Sequence, residues 1–381
     1  MPISGEPEVS VVMPCLNEEN SVGICVRKAK EVFAREGIRG EIIVADNGST
    51  DCSCVVAEKA GAKVVVESQP GYGAAYLRGL EEAQGKFIVI ADSDNSYNFY
   101  DIPRFLQPLR DGYDFVIGSR FRGKMAQGAM PWLNRYVGNP ILSGAFRVFF
   151  RARLTDALCG MRALTAAAYR RMKLRTLGME FATEMIFSAL QNNLRIREIP
   201  VDYHLRAGRS KLRPFADAWR YIRFMLLYCP SWLYFIPGLS GFLLGMALQL
   251  LLLRGPFYFL GRLWNTHLMV LAGGMSILSY QLLNLGVYAH TFAINQGFLK
   301  KGRIVRFVER HFSLERGIFL GAILIICGFF LNLFIFLEWF SRSFGPLFRI
   351  RESIFAVNLL IIGLQTVFSS FFISLLFLKR R

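Results

Sequence analysis

Four stretches of this chain, residues 224–253, 263–299, 317–337 and 353–378, contain no Asp, Glu, Lys or Arg. A helix needs about 20 apolar residues to cross a bilayer. Backbone within hydrocarbon must satisfy its own hydrogen bonds, which restricts such runs to helices here. The expected spans lie near 232–253, 268–292, 317–338 and 354–378. The second run is longer than one crossing, so its ends tilt or continue along the interface. Upstream the charge density is ordinary. The reading is therefore a water-soluble domain over 1–212, an amphipathic interfacial helix over 213–230, and a membrane domain over 231–381. In that helix Arg220 and Arg223 can meet phosphate while Trp219 and Phe224 enter the headgroup region.

Charge placement supports this division. The chain carries 45 basic and 28 acidic residues, net +17. Up to residue 230 the net is +7, and beyond it +10, so most of the excess sits beside the spans. That pattern fits the positive-inside rule and contact with anionic lipid. It does not suggest nucleic acid, because no basic stripe is interleaved with aromatics. The 300–316 loop holds six basic residues and the last three residues are Lys379, Arg380 and Arg381. The expected topology is a multi-pass protein with its catalytic domain and both termini cytoplasmic, although Arg342, Arg349 and Arg351 weaken the bias. The opening residues Met1–Glu6 lack the basic and apolar regions of a signal peptide, which agrees. Seven scattered Cys, an odd number, give no disulfide framework.

The first 120 residues alternate between the two periods. Short β-rich runs at 9–13, 41–45, 63–66, 87–91 and 114–118 are separated by helical segments. Further on, 131–150 and 180–192 read as helical and 195–201 as a strand. Apolar strands joined by helices mean an α/β, Rossmann-like and mostly parallel sheet buried on both faces. Ligands bind such sheets beyond the strand C-termini.

Three polar turns fall on that rim. Asp92-Ser93-Asp94 directly follows the fourth strand. In extended chain the two carboxylates point the same way, roughly 7 Å apart, and can share one hard cation that also holds diphosphate oxygens. The same triplet also serves as a turn or helix cap. Asp46 ends the second strand, where a carboxylate can accept from a base or ribose; Asn47-Gly48 would make a turn without it. Pro14-Cys15-Leu16-Asn17-Glu18-Glu19 follows the first strand, and Asn17 and Glu18 taken alone also mark a helix start.

Val-Val-Met-Pro-Cys-Leu-Asn-Glu-Glu, Ala-Asp-Asn-Gly-Ser-Thr-Asp, Asp92-Ser93-Asp94 and Gly118-Ser119-Arg120 occur in that order. Together they resemble the family 2 glycosyltransferases with the GT-A fold. Asp156-Ala157-Leu158-Cys159-Gly160-Met161-Arg162, Gly178-Met179-Glu180-Phe181 and Arg206-Ala207-Gly208-Arg209-Ser210-Lys211 look like its polyprenyl-phosphate branch, which includes dolichyl-phosphate mannose and glucose synthases. The resemblance implies that Pro14, Glu18, Asp46 and Asp92 line the nucleotide-sugar pocket. It implies that Asp92 and Asp94 hold Mg²⁺ or Mn²⁺, with Ser96 where related synthases place a Gln ligand. Arg120, Arg135, Arg206 and Lys211 would bind donor and acceptor phosphates, and Asp94, Arg120 and Arg206 would carry the chemistry. The implied reaction moves one sugar, with inversion, from a UDP- or GDP-linked donor to polyprenyl phosphate. No Gln-x-x-Arg-Trp accompanies any Trp, which argues for a single transfer. Alternatives are another lipid or glycan acceptor, or a lipid-carrier translocation or assembly scaffold. Glu184 is one further acid of interest, with capping as its bland role.

Overall fold

The computed structural model describes residues 6–150, 152, 154–207, 214–228, 231–295 and 313–377. Two compact units divide at Met225 and Leu226.

In the first unit a seven-stranded sheet is built from β1 (Val9–Cys15), β2 (Gly40–Asp46), β3 (Lys63–Val66), β4 (Phe87–Ile90), β5 (Phe115–Ser119), β6 (Arg162–Thr165) and β7 (Ile196–Pro200). The spatial order is β3-β2-β1-β4-β6-β5-β7. All pairings are parallel except those of β6, which runs antiparallel to both β4 and β5. The helices α1 (Val22–Glu36), α2 (Ser53–Ala60), α3 (Tyr72–Glu81) and α4 (Ile102–Arg110) follow the first four strands. After them come α5 (Asn139–Phe150), α6 (Ala166–Met172), α7 (Phe181–Gln191) and α8 (Pro214–Tyr228). Central strands read as unbroken apolar runs because both faces are covered: Val9, Val11, Val12 and Met13 are wholly buried, as are Val89 and Ile43. The edge strand β3 leaves Val66 exposed, and Lys63 lies exposed at its start.

Strand order reverses between β1 and β4, and this crossover point sets the crevice. The register brings Cys15 opposite Asp46 and Val12 opposite Ile90. The ends of β1, β2 and β4 therefore open on one rim, the rim with the polar turns.

The second unit holds four helices long and apolar enough to cross a membrane: Trp232–Leu253, Thr266–Asn295, Leu314–Ser341 and Ile350–Phe377. Their regular α-helical parts are α9 (Ile236–Leu253), α10 (Thr266–Asn295), α11 (Leu314–Ser341) and α12 (Ile350–Phe377). Small residues let them approach closely. A Cβ on Gly321 would lie 2.8 Å from the Gly363 carbonyl oxygen, and one on Gly245 would lie 2.7 Å from that of Ala272. Tyr280 and Thr366 share a 2.7 Å hydrogen bond between α10 and α12. The 254–262 segment, between the first two expected spans, carries most of a hairpin of β8 (Phe257–Phe259) and β9 (Arg262–Trp264). Its two-residue turn, Leu260-Gly261, has positive φ at both positions, which matches the twist of paired strands.

Candidate active site

The Asp92–Asp94 turn is held from several sides. Ser93 donates to the Pro14 carbonyl at 2.6 Å, tying the turn to the end of β1. Tyr72, in the first turn of α3, donates its hydroxyl to Asp92 Oδ1 at 2.9 Å, with the Tyr76 hydroxyl at 3.5 Å. The Tyr76 ring stacks on Phe181, centroids 5.3 Å apart, which fixes it against α7. On the opposite side a Cβ on Gly160 would stand 2.5 Å from Asp92 Oδ2, so the backbone approaches the carboxylate as only glycine allows. Burial, and then the Asp94 charge, push the Asp92 carboxyl up to about 6, against the Tyr72 hydrogen bond and the Arg206 and Arg120 charges.

Asp94 is 5% exposed. Its Oδ1 accepts from the Ser96 N–H at 3.0 Å and the Ser96 hydroxyl at 2.5 Å. Ser96 thus spends its hydroxyl proton on a neighbouring carboxylate, which orients Asp94. Asn95 between them takes φ +60°, a conformation Asn tolerates better than most residues. The other oxygen, Oδ2, lies 3.4 Å from Arg206 Nε, an ion pair whose nitrogen is buried and makes no hydrogen bond. Arg206 donates from Nη2 to Glu18 Oε1 at 2.8 Å. Burial alone would lower the Arg206 pKa; the charges of Asp94 and Glu18 outweigh it and the net direction is up. The arginine segment is anchored by its backbone as well, with Ala207 N–H to Asp94 O at 3.0 Å and His204 N–H to Ser96 O at 2.9 Å.

Along the rim, Arg206 thus contacts Glu18 and Asp94, Ser96 contacts Asp94, and Ser93 ties the Asp92–Asp94 turn to Pro14. Asp46, 4% exposed, accepts from the N–H groups of Gly48 and Ser49, both 3.1 Å from Oδ2. The neighbouring Asn47 accepts from Gly71 N–H at 2.7 Å and so links this turn to the start of α3.

Arg120, at the end of β5, is 7% exposed and forms a two-pronged pair with fully buried Asp156: Nε to Oδ2 at 2.7 Å and Nη2 to Oδ1 at 2.8 Å. Its guanidinium also lies over the Tyr203 ring, 5.3 Å from the centroid. Asp156 was not singled out from the sequence for this role, and the pairing leaves Arg120 largely neutralised. Arg135 sits in the Asn134–Gly138 turn with its guanidinium over Tyr136 at 5.3 Å, beside the exposed Trp132 and Ile141. Nothing in its described contacts joins it to the acidic turn. Lys211 lies outside the described residues. Glu184 accepts from the N–H groups of Arg175 and Thr176 and from the Thr176 hydroxyl, so it holds the 175–177 loop. That loop abuts α3: a Cβ on Gly71 would lie 2.1 Å from the Leu177 carbonyl oxygen.

Two family models match, Glycosyl transferase family 2 over residues 10–178 and the family 2 C-terminal transmembrane region over 287–377. The low-salt glycan biosynthesis hexosyltransferase Agl6 of Haloferax volcanii is 35% identical over 366 residues, covering 96% of this chain and 88% of that protein. The chain is a family 2 glycosyltransferase. It is also a membrane protein, by its four apolar helices and the matching transmembrane region. Two other Haloferax volcanii proteins are similar to part of this glycosyltransferase. The glycosyltransferase AglJ is 34% identical, covering 55% of this chain and 68% of its own. A dolichyl-phosphate hexose transferase is 33% identical, covering 55% of this chain and 88% of its own. Among solved structures, glucosyl-3-phosphoglycerate synthase from Mycobacterium tuberculosis with phosphoglyceric acid is 24% identical, at a TM-score of 0.48 over 59% of this chain and 81% of that one.

Proposed function

We propose that this glycosyltransferase moves one sugar from a UDP- or GDP-linked donor to polyprenyl phosphate, with inversion, releasing the nucleoside diphosphate. The observation that carries the proposal is the placement of Arg206 against Asp94 and Glu18, next to Asp92, at the strand crossover. A guanidinium and a pair of acids share one small rim, which suits two anionic reactants that must meet.

The acids fit a hard divalent cation. Asp92 and Asp94 supply carboxylate oxygens, and their crowding already raises the proton affinity of Asp92. Among the described residues no group of three His, Cys, Asp or Glu side chains forms a metal site alone. Mg²⁺ or Mn²⁺ would thus be held by Asp92 and Asp94 together with donor oxygens and water, Ser96 orienting Asp94. Bound there, the ion would offset the charge of the departing diphosphate.

The chain's own groups do the rest. Asp46, Glu18 and Pro14 border the side of the rim where the nucleoside would lie. An acceptor phosphate is ionised near neutral pH, with a second pKa of about 6, so no protein base is required. Its oxygen attacks the anomeric carbon, a new C–O bond forms, and the bond to the diphosphate breaks with its electron pair. Arg206 turns from the acids to the incoming phosphate, bringing two anions together by position and charge. Arg135 and Lys211 are assigned to the acceptor phosphate as well, and Arg120 to the same cluster through its unpaired Nη1 edge.

The α/β unit and both termini are placed in the cytoplasm, from the basic 300–316 loop and C-terminal tail. Residues 213–230 are assigned to the interface, the first 212 residues to the catalytic domain and 231–381 to the membrane. Two features of α8 support this: Tyr221 and Met225 pack into the core of the α/β unit while Trp219 is 60% exposed.

The test is release of nucleoside diphosphate by the full-length protein in vesicles, over a panel of UDP- and GDP-sugars. Release that requires both polyprenyl phosphate and a divalent cation, and that fails in Asp94→Ala, is expected. Release that persists in excess chelator or without the prenyl lipid contradicts the proposal.

A further inference from the structure

One helix of the α/β unit presents an apolar face outward. It starts at Trp132, passes through a wide turn at Asn134–Gly138 and continues as α5. Its inner side belongs to the core: Leu142 and Phe146 are buried, and the Ser143 hydroxyl accepts from the Ala157 N–H at 3.1 Å. On the outer side Val137, Ile141 and Val148 recur at helical spacing, with Ile141 61% and Val148 52% exposed. Trp132 and Tyr136, 68% and 57% exposed, extend the face at its start. Large apolar side chains gathered on the outside of a folded domain mark a place where something docks.

The charge along this segment has one sign. From Phe115 to Thr155 there is no Asp or Glu, against seven Lys or Arg. Two of the seven meet acids from elsewhere, Arg120 with Asp156 and Arg122 with Glu198 at 3.7 Å. Arg147 is exposed beside Val148, and the Arg135 guanidinium lies over the Tyr136 ring. A basic helix with Trp and Tyr among its outward apolar residues is complementary to the headgroup layer of an anionic leaflet. There the apolar side chains reach the acyl boundary while the guanidinium groups meet phosphate. A protein partner would have to bring an acidic apolar groove of its own, whereas the bilayer comes with the chain, since four spans follow in the same polypeptide.

We propose that the outer face of residues 132–148 is a membrane-docking surface of the α/β unit, selective for anionic lipid headgroups and additional to the spans. Its apolar residues supply contact with any leaflet, and its unopposed basic charge supplies the preference for a negative one. The place in the fold gives the contact a use. Because β6 runs antiparallel to both β4 and β5, those two strands end on the same rim, and the chain leaves β5 there at Arg120 on its way to this helix. That connection is itself pinned to the Arg206 segment, with Ala126 N–H donating to the Tyr203 carbonyl at 2.8 Å. A leaflet that holds the helix therefore holds one wall of the rim.

The experiment uses the full-length chain in vesicles of phosphatidylcholine, alone or partly replaced by phosphatidylglycerol. A fluorescent amino acid stands at Ile141 or, separately, at Lys59, an exposed residue in the last turn of α2. Nitroxide-labelled lipid should quench the probe at Ile141, more strongly with phosphatidylglycerol and less at high salt, and should leave the probe at Lys59 bright. Arg147→Gln, at an exposed position, should lower the docked-to-free ratio about fivefold, the worth of one basic side chain at an anionic surface, and Arg147→Lys should keep it. A photocrosslinker at Ile141 should capture lipid. Absence of quenching at Ile141 in both vesicles would overturn the proposal, as would quenching that ignores phosphatidylglycerol or survives Arg147→Gln undiminished. Capture of the chain's own spans, a second copy or another polypeptide in place of lipid would overturn it too. None of these readouts depends on which acceptor the enzyme uses.

Discussion

The raised proton affinity of Asp92 gives a quantitative prediction for metal binding. A proton and a divalent cation compete for that carboxylate, whose pKa is pushed up to about 6. The ionised fraction is roughly nine tenths at pH 7 and one tenth at pH 5, so apparent Mn²⁺ affinity should fall about tenfold between them. Above pH 7 it should be nearly flat. Tyr72 donates to Asp92 and favours the ionised form, so Tyr72→Phe should move the midpoint up by about one unit, the worth of one hydrogen bond to a charged group. The sign for stability is opposite to that of most carboxylates. Because the folded pKa lies above the unfolded one, the metal-free protein should lose up to about 3 kcal/mol as pH rises from about 4 to 6 and change little beyond. Electron paramagnetic resonance of Mn²⁺ titrated into the full-length protein at pH 5 to 8 measures the affinity directly, with Asp92→Asn as the control that should lose the slope. Affinity independent of pH between 5 and 7, or a slope that survives in Asp92→Asn, would refute the reasoning.

Three further substitutions probe the surroundings. Asp156→Ala strands the buried Arg120 charge and should cost about 3–5 kcal/mol, visible as a large drop in melting temperature, with a smaller drop for Asp156→Asn. Gly160→Ala puts a methyl group 2.5 Å from Asp92 Oδ2, and should cut turnover and Mn²⁺ affinity together with little loss of helix content by circular dichroism. Arg206→Ala removes a cation that competes for Asp94 and Glu18, so Mn²⁺ should bind a few-fold more tightly while sugar transfer falls by roughly a hundredfold, of the order expected for removing a transition-state contact.

Much of the fold was legible because periodicity reports burial directly. The runs at 9–13, 41–45 and 63–66 are buried or edge strands at those positions, and each of the four charge-free stretches overlaps one of the four long apolar helices. The strand β6 escaped notice: Arg162-Ala163-Leu164-Thr165 is four residues long, starts with a charged residue, and lies far in sequence from its partners β4 and β5. Arg162 is 1% exposed and donates to the carbonyls of Cys159, Ala157 and Ala182, a long-range use of charge that no local pattern announces. In the candidate site, Asp92 and Asp94 stood out through rim position and Arg206 only through the family resemblance. Their support did not. Tyr72 and Tyr76 carry no motif of their own, and the Asp156–Arg162 motif does not disclose the partner of Asp156, 36 positions away. Pairs separated this far along the chain are set by sheet order, and the order β4-β6-β5 is the part of the topology that strand patterns alone do not fix.

The acceptor is the point on which the functional proposal stands. Full-length protein in vesicles containing polyprenyl phosphate and diacylglycerol at equal mole fraction, given its nucleotide sugar and Mn²⁺, would yield a lipid product identifiable by mass spectrometry. A glycosyl phosphoprenol, one sugar residue heavier than the prenyl phosphate supplied, is the predicted species. Sugar found on diacylglycerol, with the prenyl phosphate unchanged, would contradict it.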